Sequence, residues 1–255
     1  MNNILSHTAN AVAHIRIARP DKKNALNQAM YQALTDAFAA AIAEPTVRSI
    51  LLYGEPNLFT AGNDLEDFLR QAPATTESPV FQFMRMMTHC PKPIVVAVNG
   101  PAVGIGTTLL LHADLVYIAD NAMLSMPFAT LGLCAEFGSS ALIPALCGTA
   151  RGAEKLLLGE PITPTEALEF GIATQVLPPD EVLAHATRKA EKFANLPPDA
   201  VRTTKRLMRA ASHVDMDALI QAEAVEFARL LRSAEAKEAM SAFFAKRKPD
   251  FAQFS

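Results

Sequence analysis

The chain has 255 residues, of which 50% are hydrophobic and 19% are charged, and its formal net charge is −3. These proportions are typical of a soluble globular protein with a sizeable core, and the length allows one large domain or two small ones. The balance of 23 basic and 26 acidic residues does not favour a generally basic surface, so nucleic acid is not an expected partner.

The first half of the chain alternates strand-like and helix-like segments. Partly alternating apolar and polar residues predict a half-buried strand at 12–18. Apolar residues at helical spacing predict a helix at 24–43 with one buried face. The further predictions are a buried strand at 49–53, a short helix at 62–69, a helix at 77–90, a buried strand at 94–98, an apolar helix at 105–113 and a strand at 114–119.

The second half is predicted to be mostly helical. The expected helices lie at 139–146, 151–158, 165–170, 180–195, 199–211, 216–232 and 234–246. Pro197-Pro198 marks a possible boundary between a core and a C-terminal helical region.

Several classes of site lack a signal in the sequence. The three cysteines form no CxxC pair, which indicates free thiols in a reducing cytoplasm. The histidines show no HxxxH or HExxH spacing, so no metal site is expected. The N-terminal segment does not resemble a signal peptide, and the most apolar stretches are too short to span a membrane. We therefore expect a cytoplasmic protein.

Two junctions between a loop and a helix, at 59–65 and 98–107, combine small residues with a predicted helix start. Glycine permits a ligand to approach the backbone closely, and the N–H groups at a helix start are free to donate hydrogen bonds. Two such donors that converge on one oxygen form an oxyanion hole. Taken alone, each junction is also compatible with a purely structural glycine-rich turn.

Several motifs occur in a specific order over nearly the whole chain. They are R-P-D-K-K-N-A-L-N at 19–27, A-G-N-D-L at 61–65, V-N-G-P-A-V-G-I-G at 98–106, A-D-L at 113–115 and the glycine before a predicted strand at 171. In combination they resemble the enoyl-CoA hydratase/isomerase (crotonase) superfamily. The resemblance implies an α/β fold, a ClpP-like spiral of ββα units at 1–197, followed by a helical trimerisation region at 198–255. It also implies homotrimers or hexamers.

The resemblance further implies a site for an acyl-CoA thioester. The oxyanion N–H groups would belong to Asn63 and Ile105. Residues implied in binding the substrate or its CoA part are Lys22, Lys23, Ala25, Leu26, Ala61, Gly62, Asp64, Leu65, Gly104, Phe128, Phe243 and Lys246. Without the resemblance, solvated charges of a turn are the favoured explanation of Lys22 and Lys23.

The acid/base residues distinguish the reactions of this superfamily. The two glutamates of the hydratases would fall on Thr108 and Phe128, neither of which can act as a carboxylate base. Instead, L-G-L-C-A-E-F-G-S-S at 131–140 resembles the segment of peroxisomal-type Δ3,Δ2-enoyl-CoA isomerases that carries their catalytic glutamate, here Glu136. This is the sole charged residue between Asn121 and Ala150, and apolar surroundings raise the pKa of a carboxyl group. The alternative is a glutamate on a loop that faces solvent.

The expected function is therefore isomerisation of a cis- or trans-3-enoyl-CoA to the trans-2-enoyl-CoA, in the degradation of fatty acids or related acyl-CoA esters. No cofactor is expected beyond the coenzyme A of the substrate. Two alternatives stay open: a 2-enoyl-CoA hydratase, and a relative that binds acyl-CoA or RNA with little catalysis.

Overall fold

The computed structural model of the chain describes residues 3–70, 77–211 and 214–254. Within these ranges the chain forms eight β-strands and eleven α-helices. The strands are β1 (Ile4–Ala9), β2 (Val12–Ile17), β3 (Ser49–Tyr53), β4 (Ile94–Val98), β5 (Pro101–Val103), β6 (Leu115–Ala119), β7 (Met123–Ser125) and β8 (Gln175–Leu177). The helices are α1 (Gln28–Ala43), α2 (Leu65–Arg70), α3 (Pro79–Thr88), α4 (Ile105–Thr108), α5 (Ser139–Cys147), α6 (Thr149–Leu157), α7 (Pro164–Glu169), α8 (Val182–Lys192), α9 (Pro198–Ala210), α10 (Met216–Leu231) and α11 (Ala234–Phe244).

The strands form a large and a small sheet. The large sheet has the order β1-β2-β3-β4-β6-β8, in which β1 and β2 are antiparallel and the other neighbours are parallel. The small sheet pairs β5 with β7 in parallel. The chain passes from the large sheet to the small one from β4 to β5 and again from β6 to β7, and each time a helix follows. This repeat confirms the predicted spiral of ββα units.

Both faces of the large sheet are covered, which explains the continuous apolar run of β4. Ile94, Val96 and Val98 belong to the core that includes α1 and α3. Val95 and Ala97 belong to a second core, formed with α8. Strands of parallel sheets are buried on both faces in this way, so they lose the alternation of polar and apolar residues. The predicted strands at 49–53 and 94–98 are confirmed residue for residue.

The elements that the sequence pattern did not predict are short or exposed. Strand β1 buries only its first residue and pairs with β2 through a two-residue turn at Asn10 and Ala11, both with positive φ. Strands β5 and β7 have three residues each. The predicted helix at 105–113 is a four-residue helix, α4, followed by a 3-10 turn at Leu109–His112.

The helices after residue 198 lie against the core. Helix α9 begins at Pro198, and its Lys205 ammonium donates to the Lys92 carbonyl at 2.7 Å and to the Asp114 carboxylate at 2.5 Å. We propose that the region from residue 198 onward is a helical extension that docks on the ends of β4 and β6. None of the helices in the three described ranges combines the length and the apolar character that a membrane span requires.

Candidate active site

The two loop–helix junctions lie side by side in the structure. The Thr60 N–H donates to the Pro101 carbonyl at 3.1 Å, and the Val103 N–H donates back to the Thr60 carbonyl at 3.1 Å. On its other side, the first junction is bound to Leu26, which accepts from the Asp64 N–H at 2.8 Å. These backbone bonds hold the segment that carries Asn63 next to the segment that carries Ile105.

Glycine makes this close approach possible. A Cβ atom on Gly62 would lie 2.6 Å from the Val103 carbonyl oxygen, and the φ of Gly62 is +85°. A Cβ atom on Gly106 would lie 2.5 Å from the Thr60 methyl group. Real Cβ contacts are never this short, so a larger residue at either position would push the two junctions apart.

The backbone N–H groups of Asn63 and Ile105 are available to a ligand. Neither has an acceptor among the residues that the structure describes. Ile105 is the first residue of α4, where a helix leaves its N–H groups without an internal partner. Paired donors of this kind can stabilise negative charge that develops on a carbonyl oxygen.

A buried carboxyl group completes the site. Glu136 has only 6% of its surface exposed, so the alternative of a solvent-facing loop glutamate does not hold. The Thr108 hydroxyl donates a hydrogen bond of 2.5 Å to Oε1 of Glu136. Burial raises the pKa of Glu136 to about 8; the Thr108 hydrogen bond opposes this rise, and the charge of Glu223 adds to it. Such a pKa suits a group that both removes and returns a proton near neutrality.

Two adjacent cavities meet at this site. The outer cavity has a volume of about 430 Å³. The inner cavity, which Glu136 lines, has a volume of about 20 Å³, enough for about one water molecule. Asn63, Phe68 and Phe227 line both cavities. The rings of Phe68 and Phe227 pack edge to face with centroids 6.0 Å apart, so this aromatic pair lies where the two cavities adjoin.

Most of the residues predicted to bind substrate line the outer cavity. They are Lys22, Lys23, Ala25, Ala61, Gly62, Asp64, Leu65, Gly104, Phe128 and Phe243. Leu26 is fully buried and contributes only its backbone to the loop. Lys246 is exposed and does not line this cavity. Ile105 is also buried, which agrees with a role for its N–H rather than its side chain.

Asp64 shapes the first junction from within. Its carboxylate accepts from the Arg19 guanidinium at 2.8 Å and from the Asp67 N–H at 3.2 Å. Burial alone would raise the pKa of Asp64, but these hydrogen bonds and the charge of Arg19 hold it below its ordinary value. The same guanidinium donates to the Ala25 carbonyl at 2.9 Å. Asp64 is therefore an ionised anchor that connects the 19–27 segment to the loop.

Sequence reasoning missed several groups around the site. The Tyr31 hydroxyl donates to the side-chain oxygen of Asn63. Phe68 and Phe227 line both cavities, and Glu223 lines the inner one. In the sequence, each of these residues only continues the pattern of its own helix, so no signal distinguishes it from an ordinary core or surface position.

Comparison with known proteins shows the family of the chain. The profile of the family described as enoyl-CoA hydratase/isomerase matches residues 7–254. The chain is 33% identical over 261 residues to 1,2-epoxyphenylacetyl-CoA isomerase of Escherichia coli (strain K12), covering 98% of each chain. It is 33% identical over 250 residues to enoyl-CoA delta isomerase 2 of Rattus norvegicus, covering 96% of this chain and 64% of that protein.

The chain also resembles solved structures over nearly its whole length. The structure of Pseudomonas aeruginosa OdaA superimposes with a TM-score of 0.93 at 45% identity, covering 95% of this chain and 99% of that one. Further relatives, 30% identical, have hydratase names. The comparisons therefore leave open which reaction of the family this site performs.

Proposed function

The chain belongs to the enoyl-CoA hydratase/isomerase family, and from this premise we propose that it is a Δ3,Δ2-enoyl-CoA isomerase. The observation that carries the proposal is the buried Glu136 carboxyl, which lines the cavity next to Asn63 and has a pKa raised to about 8. The enzyme would move the double bond of a 3-enoyl-CoA to the trans-2 position.

In this proposal the outer cavity binds the CoA part of the substrate. Lys22 and Lys23 line its wall and would attract the phosphates. Phe243 and Phe244, on the C-terminal helix α11, line the same cavity. The thioester carbonyl would accept hydrogen bonds from the N–H groups of Asn63 and Ile105.

The chemical step needs one base. Glu136 removes a proton from C2, and the electron pair moves into the thioester carbonyl to give an enolate that the two N–H groups stabilise. The thioester carbonyl then re-forms, the double bond moves from C3–C4 to C2–C3, and the electron pair released at C4 takes the same proton back from Glu136. No proton is consumed, so the carboxylate ends in the form in which it started.

The residues at the two hydratase positions support isomerisation over hydration. Thr108 donates its hydrogen bond to Glu136, so it serves the single carboxylate instead of acting as a base. Phe128 is buried against the outer cavity. Addition of water requires a positioned base and acid at these places, and neither residue supplies one.

A second candidate is isomerisation of an aromatic acyl-CoA. The Escherichia coli relative that matches over 98% of both chains is named 1,2-epoxyphenylacetyl-CoA isomerase. The outer cavity, with about 430 Å³, has room for a ring, and its wall includes Phe68, Phe128 and Phe227; rings of this kind pack well against an aromatic group. The same buried carboxyl and oxyanion donors would serve this reaction.

The test measures turnover of three purified substrates, a 3-enoyl-CoA, a 2-enoyl-CoA and 1,2-epoxyphenylacetyl-CoA. Binding of an RNA is measured in parallel. We expect turnover of the 3-enoyl-CoA, loss of that turnover in Glu136→Gln, and normal turnover in Glu169→Gln, which alters an exposed glutamate. Hydration of the 2-enoyl-CoA as the main reaction, or RNA binding with no turnover, would refute the proposal. Preference for the epoxide would establish the second candidate.

We also propose that the enzyme assembles as a homotrimer or hexamer. Leu157 and Leu158 at the end of α6 are 70% and 64% exposed, and Met208 on α9 is 72% exposed. Large apolar side chains with this exposure favour a partner surface. Light scattering after size-exclusion chromatography tests the assembly, and a monomer at micromolar concentration would refute it.

A further inference from the structure

A second carboxylate lies beside the proposed base. Glu223, on α10, has only 8% of its surface exposed and lines the inner cavity together with Glu136. Its Oε2 accepts from the Gly138 N–H at 2.6 Å, and its Oε1 accepts from the Ser140 N–H at 3.1 Å. The Ser140 hydroxyl also donates to Oε1. These donors lie two and four residues after the base, at the start of α5.

The turn that connects Glu136 to α5 has an uncommon backbone. Phe137 has a φ of +55° although it carries a side chain, and Gly138 follows with +75°. Residues keep such a conformation only where their surroundings hold it. Two contacts do so here: His112 Nε2 bonds the Phe137 carbonyl at 2.7 Å, and Glu223 bonds the residues that follow.

We propose that Glu223 is a positioning residue for the isomerase base: its carboxylate anchors the turn that carries Glu136, and its charge faces the same inner cavity. The inference rests on the proposed function, in which Glu136 must reach both C2 and C4. The Gly138 and Ser140 bonds fix the position from which it does so.

Three other titratable groups near the base, Tyr31, Cys134 and His112, carry no charge at neutral pH. Burial raises the pKa of Tyr31 well above its ordinary value and that of Cys134 to about 11, and it lowers the pKa of His112 to about 4. Arg209 is a cation beside His112, and its guanidinium donates to the His112 carbonyl at 2.9 Å. The carboxylate on α10 is therefore the negative charge that faces Glu136, and it favours the protonated form of that group.

The matched variants are Glu223→Gln and Glu226→Gln. Both remove one negative charge from α10, but Glu226 is exposed and pairs with Arg229. The Gln side chain at 223 keeps one acceptor oxygen, but its NH₂ group faces the N–H of Gly138 or Ser140. One of these two hydrogen bonds is therefore lost, and the turn is held less firmly. We expect kcat for a 3-enoyl-CoA to fall about ten- to a hundredfold, with KM nearly unchanged because the CoA cavity is intact.

The pH profile distinguishes positioning from general loss of structure. The midpoint of the rise of kcat/KM with pH, which we expect near 8 in the wild type from the pKa of Glu136, should move down by about one pH unit in Glu223→Gln, since a repelling charge is gone. Glu226→Gln should match the wild type in kcat, KM and midpoint. A wild-type midpoint and kcat in Glu223→Gln would overturn the inference. If that variant does not fold, Ser140→Ala decides, because an unchanged kcat there would also overturn it.

A spectroscopic measurement separates this inference from the proposed function. The carboxylic acid band that Glu136→Gln removes from infrared difference spectra reports the protonation of Glu136 without any substrate. Its titration midpoint should be lower in Glu223→Gln than in Glu226→Gln even if no 3-enoyl-CoA is turned over. Equal midpoints would refute the influence of Glu223, whereas a shifted midpoint without turnover would refute only the proposed reaction.

Discussion

The buried carboxyl of Glu136 should make the protein less stable as the pH rises, and Glu136→Gln should remove this effect. Its pKa is about 8 in the folded chain and has an ordinary value of 4.5 in an unfolded one. Below pH 4.5 both states hold the proton, and folding has its full free energy. Between pH 4.5 and 8 the unfolded chain releases the proton while the folded chain keeps it, so stability falls through this interval.

The size of the effect follows from the same pKa. One pH unit corresponds to about 1.36 kcal/mol of unfolding free energy per proton. The interval from 4.5 to about 8 spans about 3.5 pH units, so the total loss is about 5 kcal/mol. That is a large part of the about 5–15 kcal/mol by which native proteins are stable. In the proposed mechanism, the carboxyl therefore supports the reaction while it destabilises the fold.

The assay is urea denaturation of the wild type and Glu136→Gln at pH 6.5, 7.0 and 7.5, at one chain concentration. His112 acts in the opposite direction, but only between about pH 4 and its ordinary value of 6.5, and it is present in both proteins. The difference between the two unfolding free energies is therefore the informative quantity. We expect it to change by about 1.4 kcal/mol per pH unit in favour of the variant.

The slope matters more than the absolute stability. The Gln amide keeps the acceptor for Thr108 but adds a buried N–H without a partner, which costs about 1–3 kcal/mol at every pH. This cost lowers the unfolding free energy of the variant by the same amount at every pH, so it does not change the slope of that free energy with pH. If the unfolding free energies of the two proteins change equally with pH between 6.5 and 7.5, Glu136 is already ionised there. Burial would then not raise its pKa as described.

Three further predictions concern the rest of the site. Gly62→Ala should lower kcat about a hundredfold and lower the melting temperature, since its Cβ would lie 2.6 Å from the Val103 carbonyl; steady-state kinetics and calorimetry test this, and a wild-type kcat contradicts it. Thr108→Val should move the midpoint of the pH–rate profile above 8, because the hydroxyl favours the ionised form of Glu136, and a lower midpoint contradicts this. Lys22→Ala should raise KM about tenfold with kcat unchanged, less so at high salt; equal KM values for the wild type and Lys22→Ala at low salt would exclude this lysine from CoA binding.

The sequence predicted the path of the chain more fully than the details of the site. Strands β3 and β4 were predicted correctly because a strand that is buried on both faces consists of consecutive apolar residues, and runs as short as these are typical of strands rather than of helices. Strand β1 was missed because five of its six residues are exposed. Its pairing depends on the turn at Asn10 and Ala11 and on the neighbouring strand, which a local pattern does not contain.

Glu136 shows how far the residues alone lead. A lone charged residue in an apolar segment predicts either a buried acid or a loop that reaches into solvent, and the motif at 131–140 favoured the first. The structure decides between them, because the hydrogen bond to Glu136 comes from Thr108 on α4, and helices α2, α3 and α10 contribute to the walls of the inner cavity. The sequence had identified Thr108 only as a missing glutamate, and the structure gives it a role as the partner of Glu136.

The order of the motifs, the buried strands and the family could be determined from the sequence by itself, since these depend on residue types and on their spacing along the chain. Only the tertiary structure showed that Tyr31 contacts Asn63, that Phe68 and Phe227 lie where two cavities adjoin, and that Glu223 anchors the turn beside Glu136. These contacts join residues that are far apart in the chain. Burial and the electric field of a neighbouring charge depend on distance in space, and the spacing of residues along a sequence does not contain that distance.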